Sequence, residues 1–134
     1  MEKYQILEHK ADVKIKVFGR TKEELFLNAL KGMNYILKPE VEKGFCKKRE
    51  IKIESLNLDT LLVDFLSEIL YLTQVNRETY EDIKFKEFTN NKIEGELRGR
   101  KIKRLGEDIK GVTYHNLKIQ KKENFWTTTI LFDI

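Results

Sequence analysis

Apolar and polar residues alternate along several parts of the chain, which is the pattern of a strand with one buried face. The clearest case is residues 12–18, where valine or isoleucine alternates with lysine. The same pattern, less regular, predicts further strands at residues 4–8, 45–54, 82–88, 92–103, 112–120 and 125–133. Asn90-Asn91 falls between two of these segments and predicts the turn of an antiparallel hairpin.

Two segments instead carry apolar residues at the spacing of an amphipathic helix. In residues 21–37, Thr21 and Glu24 form the sequence pattern of a capping box, which satisfies free backbone N–H groups. The second segment covers roughly residues 60–74 and has a broad apolar face, with Asp59 in position to cap its start. This order of elements favours an α+β fold, with a mixed, largely antiparallel sheet and two main helices packed on one face.

Length and composition fit one globular domain that spans residues 1–134. Apolar residues make up 40% of the chain and charged residues 36%, a balance typical of a folded protein with a charged surface. Cys46 is the only cysteine, so we expect no disulfide partner and no cysteine metal site. We also expect a cytoplasmic protein without membrane contact, because no secretory leader is visible and no apolar run approaches about 18 residues.

The net charge is +4, and much of the positive charge lies in residues 47–49 and 98–104. One interpretation is a solvated strand face whose charges prevent pairing at the edge of a sheet. The other is an RNA-binding surface, although no aromatic residue alternates with the cations of residues 98–104.

Common enzyme motifs are absent from the sequence. It contains no P-loop, no dinucleotide-binding glycine motif and no nucleophile elbow, and His9 and His115 lack the spacing of metal ligands. A first group of candidate residues, which includes Glu8, His9 and Asp12, falls at a bend between two predicted strands. These side chains either bond to backbone in a turn or are fixed and exposed for function.

A second group lies at Asp133-Ile134, after an apolar run that we expect to be held in the sheet. The Asp133 side chain and the main-chain carboxylate of Ile134 would then be ordered neighbours. Together with Asp12 they would form an all-oxygen site, suited to Ca²⁺ or Mg²⁺ rather than Zn²⁺. Sequence spacing does not show that residue 12 meets residue 133.

Two further groups have a functional and a plainer interpretation. Lys110, Thr113 and His115 offer a cation, a hydroxyl and an imidazole on one short stretch, for contact with a phosphate or an acidic group of a partner. A polar strand edge would show the same residues. Asp64 and Glu68 lie four residues apart in the second helix, either as a solvated face or as paired carboxylates in a cleft.

Taken together, these segments resemble the archease family over the whole chain. Five motifs of that family occur here in the right order, at residues 8–12, 19–29, 61–71, 110–115 and 133–134. Three positions differ: Lys10 replaces a threonine, Phe65 a tryptophan and Gly111 an alanine. Lys10 would place a cation beside the expected acidic site, where it either weakens divalent binding or contacts phosphate.

The resemblance implies that the protein is an accessory factor of the RtcB-type tRNA-splicing ligase and not an enzyme. It would promote guanylylation of the ligase and its multiple turnover, and broaden its nucleotide use. The resemblance also implies a divalent metal on Asp12, Asp133 and Ile134, with calcium as first choice and magnesium or manganese as alternatives. Further candidates for contact with the ligase or the surroundings of the metal are Glu8, His9, Asp64, Glu68, Lys110, Thr113 and His115.

Two other functions remain open. The first is an RNA-binding or RNA-chaperone module that uses residues 98–104, whereas in the leading interpretation RNA is met through the ligase complex. The second is a small metal-dependent hydrolase that uses Asp12 and Asp133, although no base or nucleophile is visibly paired with them.

Overall fold

The computed structural model describes residues 2–9, 12–44 and 46–134, with the backbone alone for Glu8 and His9. Two long helices pack against antiparallel sheets, which is the arrangement of the α+β class and confirms the predicted fold class. In chain order the elements are β1 (Tyr4–His9), β2 (Asp12–Gly19), α1 (Lys22–Leu37), β3 (Pro39–Val41), β4 (Lys47–Glu54), α2 (Leu58–Asn76), β5 (Glu78–Phe88), β6 (Lys92–Leu105), β7 (Gly111–Thr113), β8 (Gln120–Lys122) and β9 (Phe125–Asp133).

The strands form two sheets, and every strand pairing in the described part of the chain is antiparallel. The five-stranded sheet has the order β1-β2-β9-β7, and β8 also pairs with β9. The four-stranded sheet has the order β3-β6-β4, and β5 pairs with β6. The antiparallel character was predicted, but the expectation of a single mixed sheet is replaced by two sheets. The reason is that β6 pairs with β3, β4 and β5 and with no strand of the other sheet.

Both helices lie against both sheets. Helix α1 contacts β2 and β5, and α2 contacts β4, β5 and β7. One apolar cluster joins the helices to the inward faces of the two sheets, with Phe26, Phe65, Tyr80 and Phe132 among its largest fully buried side chains. Each sheet therefore has one face in the core and one face toward solvent.

Side-chain caps fix the start of each helix. The Thr21 hydroxyl accepts from the Glu24 N–H at 3.0 Å, and the Glu24 carboxylate accepts from the Arg20 N–H at 3.0 Å. Helix α2 is capped by Asn57 and not by Asp59: the Asn57 side chain accepts from the Thr60 N–H at 2.9 Å, and Thr60 completes the box. The predicted Asp59 cap was wrong because Asn57 is an equally good cap two residues earlier.

Three strand predictions also need correction. The short strand β3 was not predicted. The strand predicted at residues 82–88 begins earlier, at Glu78, and was predicted too short because a buried acidic residue does not fit an apolar pattern. The single strand predicted at residues 112–120 is two short strands, β7 and β8. A turn separates them, in which Asn116 has a φ of 57° and the Leu117 N–H bonds to the Tyr114 carbonyl at 3.2 Å.

Candidate functional site

Asp12 and Asp133 are direct partners at one end of the β2–β9 ladder. Directly opposed residues of an antiparallel pair lie about 4.5–5.5 Å apart at Cα and turn their side chains to the same face. Both residues are exposed. The structure therefore brings together two residues from opposite ends of the sequence and places their carboxylates side by side.

Asp133 lies between two neighbouring strands. On the side away from Asp12 its partner is Gly111, and the Lys110 N–H donates to the Asp133 carbonyl at 2.6 Å. A Cβ atom on Gly111 would meet no other atom within 4 Å, so the space beside Asp133 is open on this side. Ile134 follows directly and packs against the core, which holds this end of the chain in place.

The donor chemistry of this end fits a hard cation in part. Neither Asp12 nor Asp133 forms an ion pair within the part of the chain whose side chains are described. Within that same part, however, no group of three or more His, Cys, Asp or Glu side chains could hold a metal ion. Two carboxylates are enough for a site that shares its cation with water or phosphate, but not for a closed cage. The metal set of Asp12, Asp133 and Ile134 stays a prediction.

The bend before Asp12 is described only up to its edge. The backbone of Glu8 pairs with Lys14 and that of His9 with Val13, so both lie on the strand next to β2. Lys10 and the side chains of Glu8 and His9 lie outside the described residues.

Of the other candidates, two lie beside the acidic pair. Lys110 precedes Gly111, the partner of Asp133. Thr113 pairs with Leu131, which lies two residues before Asp133 and on the same face of β9. His115 lies beyond the end of β7, where its N–H bonds to the Thr113 hydroxyl at 3.0 Å. Lys110 and Thr113 therefore belong to the neighbourhood of the acidic pair, whereas His115 lies in the turn that follows.

Asp64 connects helix α2 to the segment between β7 and β8. Its carboxylate accepts from the Ser55 hydroxyl at 2.5 Å and from the Tyr114 hydroxyl. The hydrogen bond from Tyr114 to Asp64, and to a lesser degree burial, raises the pKa of Tyr114 above its ordinary value. Asp59 adds a second connection, since its carboxylate accepts from the Ile119 N–H at 2.8 Å. Asp59 and Asp64 of α2 therefore anchor the segment that holds Tyr114 and Ile119.

Glu68 does not share this anchoring role. It lies with Asp64 in a shallow surface depression that also includes Lys52 and Glu54. Because the depression is open to solvent and both oxygens of Asp64 are engaged, the pair lacks the closed cleft that acid–base catalysis by two carboxylates needs.

Comparison with known proteins decides the family. A sequence model of the Archease protein family matches residues 4–134. This chain belongs to the archease family. Protein archease of Methanosarcina mazei is 37% identical over 147 residues, which cover 99% of this chain and 97% of that protein. Protein archease of Methanosarcina barkeri is 35% identical over 146 residues, with the same coverage.

Solved structures share the fold. A protein of Methanobacterium thermoautotrophicum aligns over 100% of both chains with a TM-score of 0.73 and 23% identity. A Thermotoga maritima protein, described as an archease and possible chaperone, aligns over 96% of this chain and 94% of its own, also with a TM-score of 0.73 and 23% identity. These two likenesses establish the archease fold for this chain.

A buried polar network on the four-stranded sheet was not predicted from the sequence. Glu78, only 2% exposed, accepts from Arg49 Nε and Nη2 at 3.0 and 3.1 Å and from the Tyr80 hydroxyl at 2.8 Å. Asn76 Nδ2 donates to the Tyr80 oxygen at 3.1 Å. Gly99 makes room for the network, because a Cβ there would lie 2.7 Å from both Glu78 Oε1 and Tyr80 Cε1.

The network sets two pKa values. Burial favours the neutral acid, but the bonds from Arg49 and Tyr80 outweigh it and hold the pKa of Glu78 below its ordinary value. Burial, with Glu78 as a neighbour, raises the pKa of Tyr80 to about 12. Because the network lies in the other sheet from Asp12 and Asp133, its role in this archease-family chain is structural.

The basic residues 98–104 lie mainly on the outward face of β6. Arg100 Nη1 lies 3.9 Å from Glu81 Oε1, and Arg104 Nε lies 2.7 Å from Glu40 Oε2. The solvated strand face of the first interpretation is therefore present, but β6 is not an edge strand, because it has β4 on one side and β5 on the other. Carboxylates of neighbouring strands thus offset part of this positive charge.

No helix in the described part of the chain is long and apolar enough to cross a membrane.

Proposed function

We propose that this protein is a cytoplasmic accessory factor of an RtcB-type tRNA-splicing ligase, without a catalytic residue of its own. It promotes guanylylation of the ligase and its multiple turnover, and it broadens the range of nucleotides that the ligase uses. Membership of the archease family supports an accessory role. The single observation that carries the proposal is the pairing of Asp12 with Asp133 at an exposed end of the five-stranded sheet.

That end is suited to reach a partner's active centre. Asp12 and Asp133 are exposed, while the residues next to them, Val13 and Phe132, are fully buried and fix the two strands. Carboxylates on paired strands need little reordering when they meet a partner, which favours binding. Lys110 adds a cation at the same end, for a phosphate or an acidic group of the ligase.

We propose further that Asp12, Asp133 and the main-chain oxygens of Ile134 hold a divalent cation, with calcium as first choice and magnesium or manganese as alternatives. When bound, such a cation supplies positive charge that a phosphate group can approach. The two aspartates fill only part of the roughly six to eight oxygen positions around Ca²⁺. Water or oxygen atoms of the ligase complete the set.

The decisive experiment measures guanylylation and multiple-turnover ligation by the RtcB-type ligase of the same organism, with and without this protein. Substoichiometric amounts should raise the number of turnovers per ligase above one. Asp12→Asn and Asp133→Asn should abolish the stimulation, because each removes a carboxylate charge and keeps the side-chain size.

Asp108→Asn is the matched control, because it removes one exposed carboxylate near the same end without touching the pair. It should stimulate like the wild type. An active ligase that gains no turnover from the wild-type protein would refute the accessory role. Full stimulation by both aspartate variants would leave the role intact but exclude the acidic pair as its basis.

A further inference from the structure

No helix in the described part of the chain covers the outward face of the five-stranded sheet. On β2, Val13, Ile15 and Val17 are buried on the inward face, and Asp12 and Lys14 on the outward face are exposed. β9 alternates in the same way toward Asp133, which is exposed after the buried Phe132. Helix α1 covers the inward face, where a Cβ on Gly32 would lie 2.6 Å from Ile15 Cδ1. The outward face of β2 and β9 is therefore open to a ligand around Lys14 and Thr129, whereas Thr127 on the same face is buried.

Strand register shows which side chains share this outward face. Lys16 lies opposite Thr129, Phe18 opposite Thr127, and Lys122 opposite Phe125. Lys14, opposite Leu131, comes next toward the acidic pair. We call the set of Lys14, Lys16, Phe18, Lys122 and Phe125 the lysine–aromatic face.

The two aromatic residues of this face form one partly exposed cluster. The rings of Phe18 and Phe125 have centroids 6.0 Å apart and are tilted by 56°. Lys16 Nζ lies 5.7 Å from the centroid of Phe18. A lysine ammonium over an exposed ring is a weaker contact than a nucleobase stacked on it, so a base can displace it.

The outward face of the four-stranded sheet offers a contrast. There lysines form ion pairs with carboxylates of other strands. Lys86 Nζ lies 2.5 Å from Glu50 Oε1, and Lys52 Nζ lies 3.4 Å from Glu94 Oε1. Its phenylalanines also turn inward, because Phe85 packs against the core. On the lysine–aromatic face, by contrast, Lys16 and Lys122 form no ion pair with a described side chain.

We propose that the lysine–aromatic face binds single-stranded RNA directly. Bases stack on Phe18 and Phe125, and the lysines contact the phosphates, the combination by which proteins hold single strands without sequence preference. The distance along β9 from Phe125 to Leu131 is about 20 Å, enough for roughly four nucleotides, the lower end of the sites of such folds. Asp12 and Asp133 bound the face at one end, because carboxylates repel phosphate.

Positive charge and partly exposed aromatic rings together favour a nucleic acid over an apolar protein surface as the occupant. The choice of RNA over DNA rests on the proposed function as an accessory factor of an RNA ligase. Binding itself does not rest on it, because the face needs neither the ligase nor a cation on Asp12 and Asp133.

The test uses fluorescence anisotropy of a fluorescein-labelled single-stranded RNA of eight uridines, titrated with the full chain without ligase. Binding should be detectable at low salt. If Lys16 and Lys122 contact phosphates, the plot of log affinity against log salt should have a slope of about −1.4. A fully paired RNA duplex of the same length should bind more weakly, because its bases are not free to stack.

Variants separate charge from stacking. The double variant Lys16→Gln/Lys122→Gln should reduce the salt slope by about 1.4. Phe125→Leu keeps an apolar side chain and should lower affinity about tenfold without a change of slope. The matched control is Lys101→Gln/Lys103→Gln, which removes the same charge from residues 98–104 and should bind like the wild type. Circular dichroism melting checks that each variant is folded.

Three results would overturn the proposal. One is no anisotropy change for wild type at low salt, whatever the ligase assays show. Another is loss of binding in Lys101→Gln/Lys103→Gln but not in Lys16→Gln/Lys122→Gln, which would place RNA on residues 98–104. The third is unchanged RNA binding by the lysine–aromatic variants together with lost ligase stimulation, which would make this face a contact surface for the ligase protein.

Discussion

At the scale of single residues, Asp12 and Asp133 are two like charges held side by side by their strands. In the solvent, charges at such a distance repel each other by about 1 kcal/mol, because water screens them strongly. The fold tolerates this cost at an exposed end, where carboxylates keep most of their hydration. A bound cation would replace this repulsion with attraction, so stability should depend on calcium.

We therefore predict that Ca²⁺ raises the melting temperature of the wild-type protein over that in EDTA, by an amount that grows with Ca²⁺ concentration. Asp12→Asn and Asp133→Asn should melt at or slightly above the wild-type temperature in EDTA and show little response to Ca²⁺. Scanning calorimetry measures both, with Asp108→Asn as the control that keeps the response. An equal calcium response in Asp12→Asn and wild type would show that calcium binds elsewhere.

Glu78 poses a different residue-scale problem, a charge in a buried position. Arg49 and Tyr80 both donate to it, so removal of the carboxylate charge weakens the network and leaves Arg49 less well paired. We predict that Glu78→Gln lowers the free energy of unfolding at pH 7 by about 1–3 kcal/mol, measured by urea denaturation. The exposed Glu50→Gln, which loses a surface ion pair with Lys86, should lower the free energy of unfolding much less.

The same residue should contribute to the pH dependence of stability. Because the folded-state pKa of Glu78 is lowered, its contribution is present above the ordinary glutamate pKa of about 4.3 and is lost as pH falls through the folded value. The difference in unfolding free energy between wild type and Glu78→Gln should therefore shrink as pH falls below about 4. A difference that stays constant down to acid unfolding would show that the Glu78 carboxylate is not stabilised by its partners.

At the scale of elements, helix α2 holds the segment that carries part of the candidate site. Asp59 and Asp64 bind Ile119 and Tyr114, and the Gln74 side chain donates to the Ile109 carbonyl at 3.3 Å. These contacts link the helix to residues 109–119, where regular strand pairing is limited to β7. The position of Lys110 beside Asp133 depends on this anchoring.

We predict that Tyr114→Phe, which loses the bond to Asp64, speeds amide hydrogen exchange in residues 109–119 by about tenfold, equivalent to roughly 1 kcal/mol of local stability. Exchange in the core of α2 should change little, because its apolar contacts remain. Tyr71→Phe is the matched control, since Tyr71 is an exposed tyrosine on α2. If exchange in the segment is the same in both variants, the Tyr114 hydroxyl does not anchor it.

The regular elements of the fold could be predicted because their signals are local. Alternation in β2 and the Thr21–Glu24 box depend on neighbouring residues, and both are present in the structure. The pairing of Asp12 with Asp133 could not be derived from spacing, because it depends on which strands become neighbours. Glu78 was missed for a related reason: its burial depends on Arg49, which belongs to another strand.

At the scale of the whole molecule, the two outward sheet faces differ in charge. On the four-stranded sheet, lysines and arginines of β4, β5 and β6 lie near glutamates, so the face is mixed in sign. On the five-stranded sheet, lysines and aromatic rings lead to an acidic pair at one end. We have proposed two separate contacts on the second face, one for RNA and one for the centre of a ligase.

If these contacts are separate, they should respond to different variants in the presence of the ligase. In a guanylylation assay without RNA, we predict that Lys16→Gln/Lys122→Gln stimulates the ligase like the wild type. The same variant should stimulate ligation less than wild type when RNA is limiting, and equally when RNA is saturating, because only RNA affinity has changed. Asp12→Asn and Asp133→Asn should reverse this pattern, with RNA binding retained and guanylylation no longer stimulated. Parallel loss of both activities in folded variants of either kind would mean that the two ends of the face act as one site.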